Sequence, residues 1–514
     1  MSAPHQDDVD DDALEMLDAE DTLEEFNDED GDIAMDSDND EPYPSEPIND
    51  SIAFLNHDAH KDSVFAIAQH PTQPSLIATG GSAGKDDNDP GEGYVFDTSP
   101  VVGRPVLPPS YNADPNAPQQ KSITLNPLFK IDGHSDSINA LAFTLPRGEF
   151  LVSGGLDGRL RAYQLSVDAH NKASFAFVAE AQEVPEINWL APCPVEPTSQ
   201  TVVPNTVALG ASDGSVWVYT IDPSDTSNPL QIVQSYFLHT ESCTAGAWSP
   251  DGKFLATVSE DSSLQVWDVW GEASANGLAH DNGQTVVSLT GADQRFAVEG
   301  GLYSVAIDPK SSFVAVGGAG GAIKIVGLPR LGADSTSGSS KQGKSKGKGA
   351  AAGGQQGGTI LADLQTQGDG IESLSFSPSN PLLAAGSVDG SIAIFDTSRR
   401  FAVRRHLKDV HDGFSIVKVE FVKGFGDGWL LTSCGMDGVV RRWDVRGAAG
   451  SSTSSIVKEW KGHTAYEEVG GDEEEEQEDA ERKGAGGVLG FVQGSTGERI
   501  VTAGDDGQVL VFET

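Results

Sequence analysis

The chain has 514 residues, of which 38% are apolar and 59 are glycine, a composition typical of a globular protein rich in turns. Its 78 acidic residues against 33 basic ones give a net charge of −45 at pH 7, which disfavours binding to nucleic acid or anionic membranes and favours a basic partner. No apolar run is long enough for a membrane span or a secretion signal. Three scattered cysteines without CxxC spacing predict reduced thiols in a cytoplasmic protein that could also enter the nucleus.

The first 50 residues form an acidic segment. Residues 1–50 contain 21 Asp or Glu and no Lys or Arg. Such a composition predicts a disordered tail, because it offers too little apolar surface to offset the entropy lost on folding. Two interpretations stay open, a solubilising tail and a tethered acidic arm that helps to screen a basic client.

A pattern of three short apolar runs recurs along the rest of the chain. In one copy the runs are Cys243–Trp248, Phe254–Val258 and Leu264–Trp267, separated by the turn sequences SPDG and EDS. This predicts a three-stranded antiparallel meander, and its closing Trp-Asp pair is typical of a WD repeat. The other seven copies end at Asp97, Tyr163, Tyr219, Val326, Asp396, Asp444 and Glu513. The sequence therefore predicts an all-β, eight-bladed WD-repeat β-propeller over residues 51–514.

The two ends of this repeat array are expected to meet. The last copy stops at Thr514 directly after its third strand, whereas a blade needs four strands and an open edge invites aggregation. The apolar run Ile52–Leu55 precedes the first copy. We expect residues 51–55 to supply the missing strand and close the ring.

Three segments between the repeats lack the pattern. The Pro-rich stretch from Pro100 to Pro118 predicts a surface loop, and residues 332–358 and 464–486 predict flexible insertions. The first insertion contains Lys341, Lys344, Lys346 and Lys348, which fits a solvated linker better than a nuclear-targeting or RNA-contacting patch. The second contains the acidic run Asp472–Glu481.

A His, Ser/Thr and Asp set could be mistaken for a catalytic triad. His134, Ser153 and Asp157 recur at the same offsets elsewhere, and a nucleophile would not be copied around a ring. We therefore predict a buried hydrogen-bond network that fixes each blade turn. Its members are His134, Ser153, Asp157, His239, Thr257, Asp261, Trp267, Asp437 and Trp443.

Two other patterns favour structure over chemistry. The histidines of His57–His60 and His70 match no usual zinc spacing. The glycine-rich stretch Gly317–Lys324 precedes a strand, so no helix N-terminus is available to hold phosphate. The prediction is a non-enzymatic protein without metal or cofactor.

What remains is a binding surface. Loops between blades, and the turn before each repeat Asp, converge on one face of a propeller, and there this sequence places mainly acidic and aromatic residues. Carboxylates interleaved with aromatic rings suit an extended peptide that carries Lys or Arg, although a chain this acidic shows carboxylates everywhere. The predicted client-binding residues are Asp62, Phe65, Asp136, Glu186, Trp189, Glu241, Glu260, Glu299, Tyr303, Asp369, Glu372 and Asp505, with Asn139 and Asp412 beside them.

These residues also carry a resemblance to a known family. The acidic leader, the stretches HKDSVFAIAQHP and GHSDSINALAF, and EVPEINWLAPCP followed by ALGASDGSVWVY resemble the angio-associated migratory cell protein family. The resemblance covers the chain from about His60 and is strongest in the first four blades, while blades five and eight are degenerate. Fungal members of this family are dedicated chaperones of a ribosomal protein. The resemblance implies a propeller that captures the basic N-terminal segment of a large-subunit ribosomal protein, number sixteen in the universal naming, and delivers it to the assembling 60S subunit.

Two other classes of function stay open. A general WD-repeat scaffold, such as a ubiquitin-ligase substrate receptor or a signalling adaptor, would bind many partners with little dependence on salt. An enzyme would need a catalytic cluster that is not repeated around the ring, and the sequence offers none. We expect a monomer that binds a basic ribosomal protein and contacts the pre-60S particle or ribosome through that client.

Overall fold

The computed structural model describes residues 49–56, 58–84, 89–101, 122–169, 172–195, 202–280, 283–330, 357–424, 428–447, 455–465 and 486–514. Almost all regular structure in these ranges is β-strand. The short helices are Glu272–Ala275, which is α, and the 3-10 turns Ser99–Val101, Ala319–Gly321 and Thr397–Arg399. No helix in the described ranges is long and apolar enough to cross a membrane. The acidic tail, His57, most of the Pro-rich loop and of both insertions, and the run Asp472–Glu481 lie outside the described residues.

The strands form eight blades, as the sequence predicts, and in blades 2 to 7 four antiparallel strands follow one another in chain order from the centre of the ring outward. Blade 1 contains β2 (Ala66–Gln69), β3 (Leu76–Ser82), β4 (Gly91–Asp97) and β6 (Phe129–Ile131). Blade 2 contains β7 (Ile138–Phe143), β8 (Phe150–Gly155), β9 (Leu160–Val167) and β10 (Ala173–Ala181). Blade 3 contains β11 (Ile187–Pro192), β12 (Thr206–Ala211), β13 (Val216–Ile221) and β14 (Leu230–Tyr236). Blade 4 contains β15 (Cys243–Trp248), β16 (Phe254–Ser259), β17 (Leu264–Asp268) and β18 (Thr285–Leu289).

The second half of the chain repeats this arrangement. Blade 5 contains β19 (Leu302–Ile307), β20 (Phe313–Gly318), β21 (Ala322–Gly327) and β22 (Ile360–Gln365). Blade 6 contains β23 (Ile371–Phe376), β24 (Leu382–Ser387), β25 (Ile392–Asp396) and β26 (Ala402–Leu407). Blade 7 contains β27 (Ile416–Phe421), β28 (Leu430–Gly435), β29 (Val439–Asp444) and β30 (Ile456–Lys461). Blade 8 contains β31 (Val488–Val492), β32 (Arg499–Gly504), β33 (Val509–Glu513), β1 (Ala53–Leu55) and β5 (Ile123–Leu125).

The apolar core is divided among the joints between blades. Within the described residues there are eight clusters of buried apolar side chains, and each joins two neighbouring blades, including blade 8 and blade 1. Sheets pack face to face in this way because each blade has two apolar faces. The second strand of a blade is therefore buried on both sides, as the fully buried β8 and β16 show. All three cysteines are buried and unbridged, and burial raises the pKa of each thiol.

The ring is closed by the strand β1. Ala53 pairs with Val511 of β33 in an antiparallel ladder, so the segment expected at residues 51–55 lies beside the last strand of the chain. A further strand that the sequence pattern does not reveal, β5, pairs in parallel on the other side of β1, with Ala53 opposite Ile123. Ala53 is fully buried and Leu55 is 4% exposed. The closing strand is thus held from both sides.

A histidine-centred network holds one end of blade 2. The His134 ring contacts Asp157 through Nδ1 at 3.1 Å and Ser153 through Nε2 at 2.8 Å. Asp157 also accepts the backbone N–H of Ser135 at 2.8 Å, so the turn is tied to the loop before the innermost strand. The equivalent groups are His411, Ser433, Asp437 and Trp443 in blade 7, and His463, Thr502 and Asp506 in blade 8. This recurrence is what a structural network requires.

Blade 4 builds the same network with one extra link. His239 Nε2 and the Trp267 indole N–H both contact the Thr257 hydroxyl, each at 2.8 Å. His239 Nδ1 contacts Ser263 Oγ at 2.6 Å, and Asp261 accepts the Ser263 backbone N–H at 2.8 Å. Asp261 therefore reaches the histidine through a serine. Burial lowers the pKa of His239 to about 4, so the ring is neutral at physiological pH.

Removal of the closing strand is expected to open the ring. A chain that begins at Asn49 should fold normally, whereas one that begins at Asp58 lacks β1 and leaves the edge of β33 unpaired. We expect the shorter chain to lose more than about 3 kcal/mol of unfolding free energy, because buried Leu55 is removed with its ladder. Urea denaturation and size-exclusion chromatography measure both effects. Equal stability of the two chains would contradict the role assigned to β1.

The buried histidine of blade 4 predicts acid sensitivity. The folded-state pKa of His239 is about 4, below its usual 6.5, so the unfolded chain takes up a proton first and stability falls as pH drops through this window. In blade 6 a glutamine, Gln367, stands in the place of the histidine, and its Nε2 donates to Ser391 O at 2.8 Å. His239→Gln should therefore fold and should remove about 1–2 kcal/mol of the stability lost between pH 7 and about pH 5.

Urea denaturation at both pH values tests this expectation. Thr257→Val is the control, because it lowers stability at both pH values but leaves the histidine in place. An unchanged pH dependence in His239→Gln would show that this ring does not titrate during acid unfolding.

Candidate peptide-binding site

The innermost strands contact one another in sequence around the ring, and β31 closes it against β2. Seven of the eight strands begin at a residue with no exposed surface, and in blade 1 such a residue lies two positions before β2. These anchor residues are Val64, Ile138, Ile187, Cys243, Leu302, Ile371, Ile416 and Val488. These side chains pack in the apolar clusters between blades and so fix where each innermost strand begins. We call this end of the ring the mouth.

A β-bulge follows the anchor residue in blades 2 to 8. The ladder between first and second strand skips one residue there, for example Glu372 between Ile371 and Ser373. A bulge turns the extra side chain away from the regular alternation, and bulges are common at the rims of barrels and beside binding sites. We call these side chains the rim residues: Asn139, Asn188, Thr244, Tyr303, Glu372, Val417 and Leu489, with Phe65 at the corresponding place in blade 1.

The turn between the second and third strands meets the same end. Glu260 N–H donates to Ser242 O at 3.1 Å, which holds the turn of blade 4 against the loop before its innermost strand. The equivalent bond in blade 8 joins Asp505 N–H to Gly487 O, also at 3.1 Å. Glu260 and Asp505 therefore occupy the same position in the repeat. This geometry brings the predicted loop and turn residues to the mouth.

The rim residues of blades 2 to 4 are used to join blades. The Asn139 amide donates to Asn188 O at 3.1 Å, and the Asn188 amide donates to Ser242 Oγ at 2.8 Å. The Thr244 hydroxyl donates to Leu302 O at 2.6 Å. These side chains hold neighbouring innermost strands in register. Asn139, which the sequence predicts beside the binding surface, thus makes a contact that joins two blades.

Trp189 lies one residue beyond the rim position. Its indole N–H donates to Cys243 O at 3.2 Å, and its ring covers Gly210 and Gly246 closely enough that neither position has room for a Cβ. Six of the other seven blades hold a small residue at this place, such as Ala140, and blade 7 holds Lys418. The large ring is therefore a wedge between blades 3 and 4, matched by glycines. A role for Trp189 in client binding stays a prediction.

Six exposed carboxylates lie at the mouth of blades 3 to 6. We call them the acidic arc: Glu186, Glu241, Glu260, Glu299, Asp369 and Glu372. In the connections that lead to the innermost strands of these blades, residues 182–186, 237–242, 290–301 and 366–370, Arg295 is the one Lys or Arg, and it forms an ion pair with Asp293 at 2.7 Å. The arc is therefore rich in carboxylates and poor in cations.

The pKa values of two groups, Glu372 and Tyr303, show that the carboxylates of the arc influence their neighbours. Burial raises the pKa of Glu372, and the neighbouring charge of Asp369 raises it further. Burial also raises the pKa of Tyr303, with contributions from Glu260 and Glu372 on either side of it. Charges of one sign held this close repel one another. A Lys or Arg side chain placed among them would relieve that repulsion.

Three of the predicted acidic residues on other blades already have partners. Asp505 accepts the Ser63 hydroxyl at 2.6 Å and the Gly486 N–H at 2.9 Å. Asp136 accepts the Ser137 N–H at 2.6 Å, and Asp412 lies 3.4 Å from Arg441. Asp62 is half-buried in the loop before blade 1. The predicted carboxylates are thus unevenly spread, with six exposed ones on blades 3 to 6, of which Asp369 accepts the Gly370 N–H at 2.7 Å.

The described residues offer no metal site at the mouth or elsewhere, because they include no group of three His, Cys, Asp or Glu that could hold an ion. His70 lies at the other end of blade 1, where its Nδ1 accepts the Gln73 N–H at 3.0 Å and its Nε2 contacts Gly148 O at 3.1 Å. His60 contacts Thr79 Oγ1 at 2.9 Å in the place of the repeat histidine. Both rings have structural contacts.

Comparison with known proteins supports a common origin. Residues 125–164, 230–268 and 358–396 match the WD40 family, described as WD domain, G-beta repeat. The chain is 26% identical to the ribosome assembly protein SQT1 of Saccharomyces cerevisiae, over 94% of this chain and 91% of that protein. It is 24% identical to human angio-associated migratory cell protein, over 66% of this chain and 63% of that protein.

Solved structures give a stronger match. Crystal structures of Chaetomium thermophilum Sqt1, alone and bound to the N-terminus of the ribosomal protein L10, are 58% identical to this chain and cover 91% of it, with a TM-score of 0.74. The alignments include 98% and 100% of those chains. The resemblance seen in the sequence is thereby confirmed. The chain belongs to the Sqt1 family of WD-repeat proteins, which are related to angio-associated migratory cell protein.

Proposed function

We propose that the protein is a dedicated, non-enzymatic chaperone that binds the basic N-terminal segment of a large-subunit ribosomal protein on the acidic arc. The client would be the counterpart of L10, number sixteen in the universal naming, delivered to the assembling 60S subunit. The observation that carries the proposal is the arc itself, six exposed carboxylates on four adjacent blades with one paired cation among their loops. A relative 58% identical binds the N-terminus of L10, which supports this choice of client.

The physical chemistry of the arc suits this task. Lys and Arg side chains form charge-assisted hydrogen bonds with carboxylates, and an Arg can also lie over an aromatic ring such as that of Tyr303. Each contact near the surface is weak, so affinity depends on several contacts at once and falls with salt. Occupied in this way, the client's cations are shielded from RNA without any covalent step. A general scaffold with many partners would lack this salt dependence.

Charge reversal on the arc is expected to abolish client binding. Glu186, Glu260 and Glu372 lie on three different blades, and their replacement by Lys would set cations against the basic segment. We expect the triple variant to bind a synthetic peptide of the client N-terminus at least 100-fold more weakly, about 3 kcal/mol or more. Isothermal titration at low and moderate salt measures the affinity.

The matched control reverses three carboxylates on loops at the other end of the ring, Asp168, Asp225 and Glu498. This control changes net charge by the same amount, so it should bind the peptide within a few-fold of wild type. If both variants bind the peptide equally weakly, the effect comes from net charge and not from the arc. If the arc variant binds with wild-type affinity, the site assignment is wrong.

We expect the Glu372 carboxylate to lower the stability of the fold and to strengthen binding of the client. Its pKa is raised in the folded chain, so at neutral pH the ionised carboxylate costs folding free energy, and this cost disappears as the pH falls below that pKa. Glu372→Gln should therefore unfold at the same or a higher temperature than wild type at pH 7 and should bind the client peptide more weakly. Thermal unfolding and peptide titration on one preparation measure both. A less stable Glu372→Gln variant would show that the carboxylate serves the fold.

A further inference from the structure

The rim residues change character around the mouth. On blades 7, 8 and 1, which are consecutive in the closed ring, they are Val417, Leu489 and Phe65. On the other five blades the same repeat position holds Asn, Thr, Tyr or Glu. Single exposed apolar residues are ordinary on a protein surface. Three at one structural position on three adjacent blades form a patch.

The apolar side chains at these positions are partly open to solvent, and Val417 also packs against the buried cluster between blades 7 and 8. Phe65 is 40% exposed and belongs to no buried cluster, and Leu489 is half-buried. The half-buried Met436, in the turn of blade 7, lies against Gly487, since a Cβ there would be 2.9 Å from the Met436 sulfur. We call Phe65, Val417, Met436 and Leu489 the apolar arc.

The charged groups around the apolar arc are already satisfied by contacts within the chain. Lys418 Nζ donates to Phe491 O at 2.8 Å and lies 3.1 Å from Glu420. Arg441 forms an ion pair with Asp437, and Asp505 accepts two hydrogen bonds from Ser63 and Gly486. A cationic side chain of a client therefore gains less here than on the acidic arc, whereas an apolar one would cover the exposed ring of Phe65 and the half-buried side chains of Met436 and Leu489.

We propose that the apolar arc is a second subsite of the mouth and receives an aliphatic or aromatic side chain of the bound segment. The inference rests on the proposed function and deepens it, because it adds an apolar residue to the basic ones as a condition for recognition. The two subsites lie on complementary sectors of one rim, blades 3 to 6 and blades 7 to 1, so one extended peptide across the mouth reaches both. A purely basic tail fills only the first sector.

Peptide titration tests the inference directly. The probes are a synthetic peptide of the client N-terminus and a second peptide in which every aliphatic and aromatic residue is Ser, with all charges kept. Wild-type protein should bind the first peptide about tenfold more tightly, as expected for burying one apolar side chain. Phe65→Ser with Leu489→Ser should bind both peptides with the lower affinity and with the wild-type salt dependence. Val457→Ser, at a 57% exposed apolar position on the outer strand β30, is the control and should keep the preference.

A second experiment separates the inference from the identity of the client. A displayed library of random peptides with fixed Arg content is selected on wild type and on the Phe65→Ser, Leu489→Ser double variant. Enrichment of apolar residues by wild type alone supports the apolar subsite even if the L10 peptide does not bind, in which case only the proposed client fails. Selection of basic residues without apolar ones by wild type, or a preference kept by the double variant, overturns the inference.

Discussion

The geometry of the mouth depends on one constraint, a fully buried residue at the head of every innermost strand. From Val64 to Val488 these eight anchors have no exposed surface, so they fix where each strand begins relative to its neighbours. In blades 2 to 8 the bulge that follows then directs one side chain to the rim. Because the anchors carry most of the packing, the type of rim residue differs from blade to blade, although Val417 still packs against the cluster between blades 7 and 8.

The rim residues fall into three groups around the ring. On blades 2 to 4 the rim residues join strands, as Asn188 does through its bond to Ser242. On blades 5 and 6, burial raises the pKa values of Tyr303 and Glu372, and neighbouring carboxylates raise them further. On blades 7, 8 and 1 the rim is apolar. The repeat therefore supplies a common frame, and the blades differ in the rim residue and in the loops and turns beside it.

The sequence predicts the strands and turns of the blades better than it predicts the side chains at the rim. The apolar runs and turn residues of the meander predict the inner three strands of each blade, and the offset from His134 to Ser153 and Asp157 marks the network. The outer strands, such as β10, are partly exposed and follow loops of irregular length, so no such pattern marks them. At the rim, the sequence predicts Trp189 as a binding residue, but it carries no local sign that the Trp189 ring lies over Gly210 and Gly246 of neighbouring strands. The contact between Asp505 and Ser63 joins residues 442 positions apart and has no local signal at all.

Net charge is a poor guide to where a basic segment would bind. Carboxylates are spread over the whole sequence, but those of Asp136 and Asp505 are bound by backbone or hydroxyl groups and have little left to offer a partner. The arc on blades 3 to 6 differs because its carboxylates are exposed and Arg295, the one cation in the loops that lead to its innermost strands, is paired with Asp293. Glu372 carries an unfavourable charge in the empty protein, and a bound Lys or Arg would turn that repulsion into attraction. Under the proposed function, many weak, salt-sensitive contacts of this kind would together hold the basic segment, and ribosomal RNA, with its denser row of negative charges, would compete for the same cations.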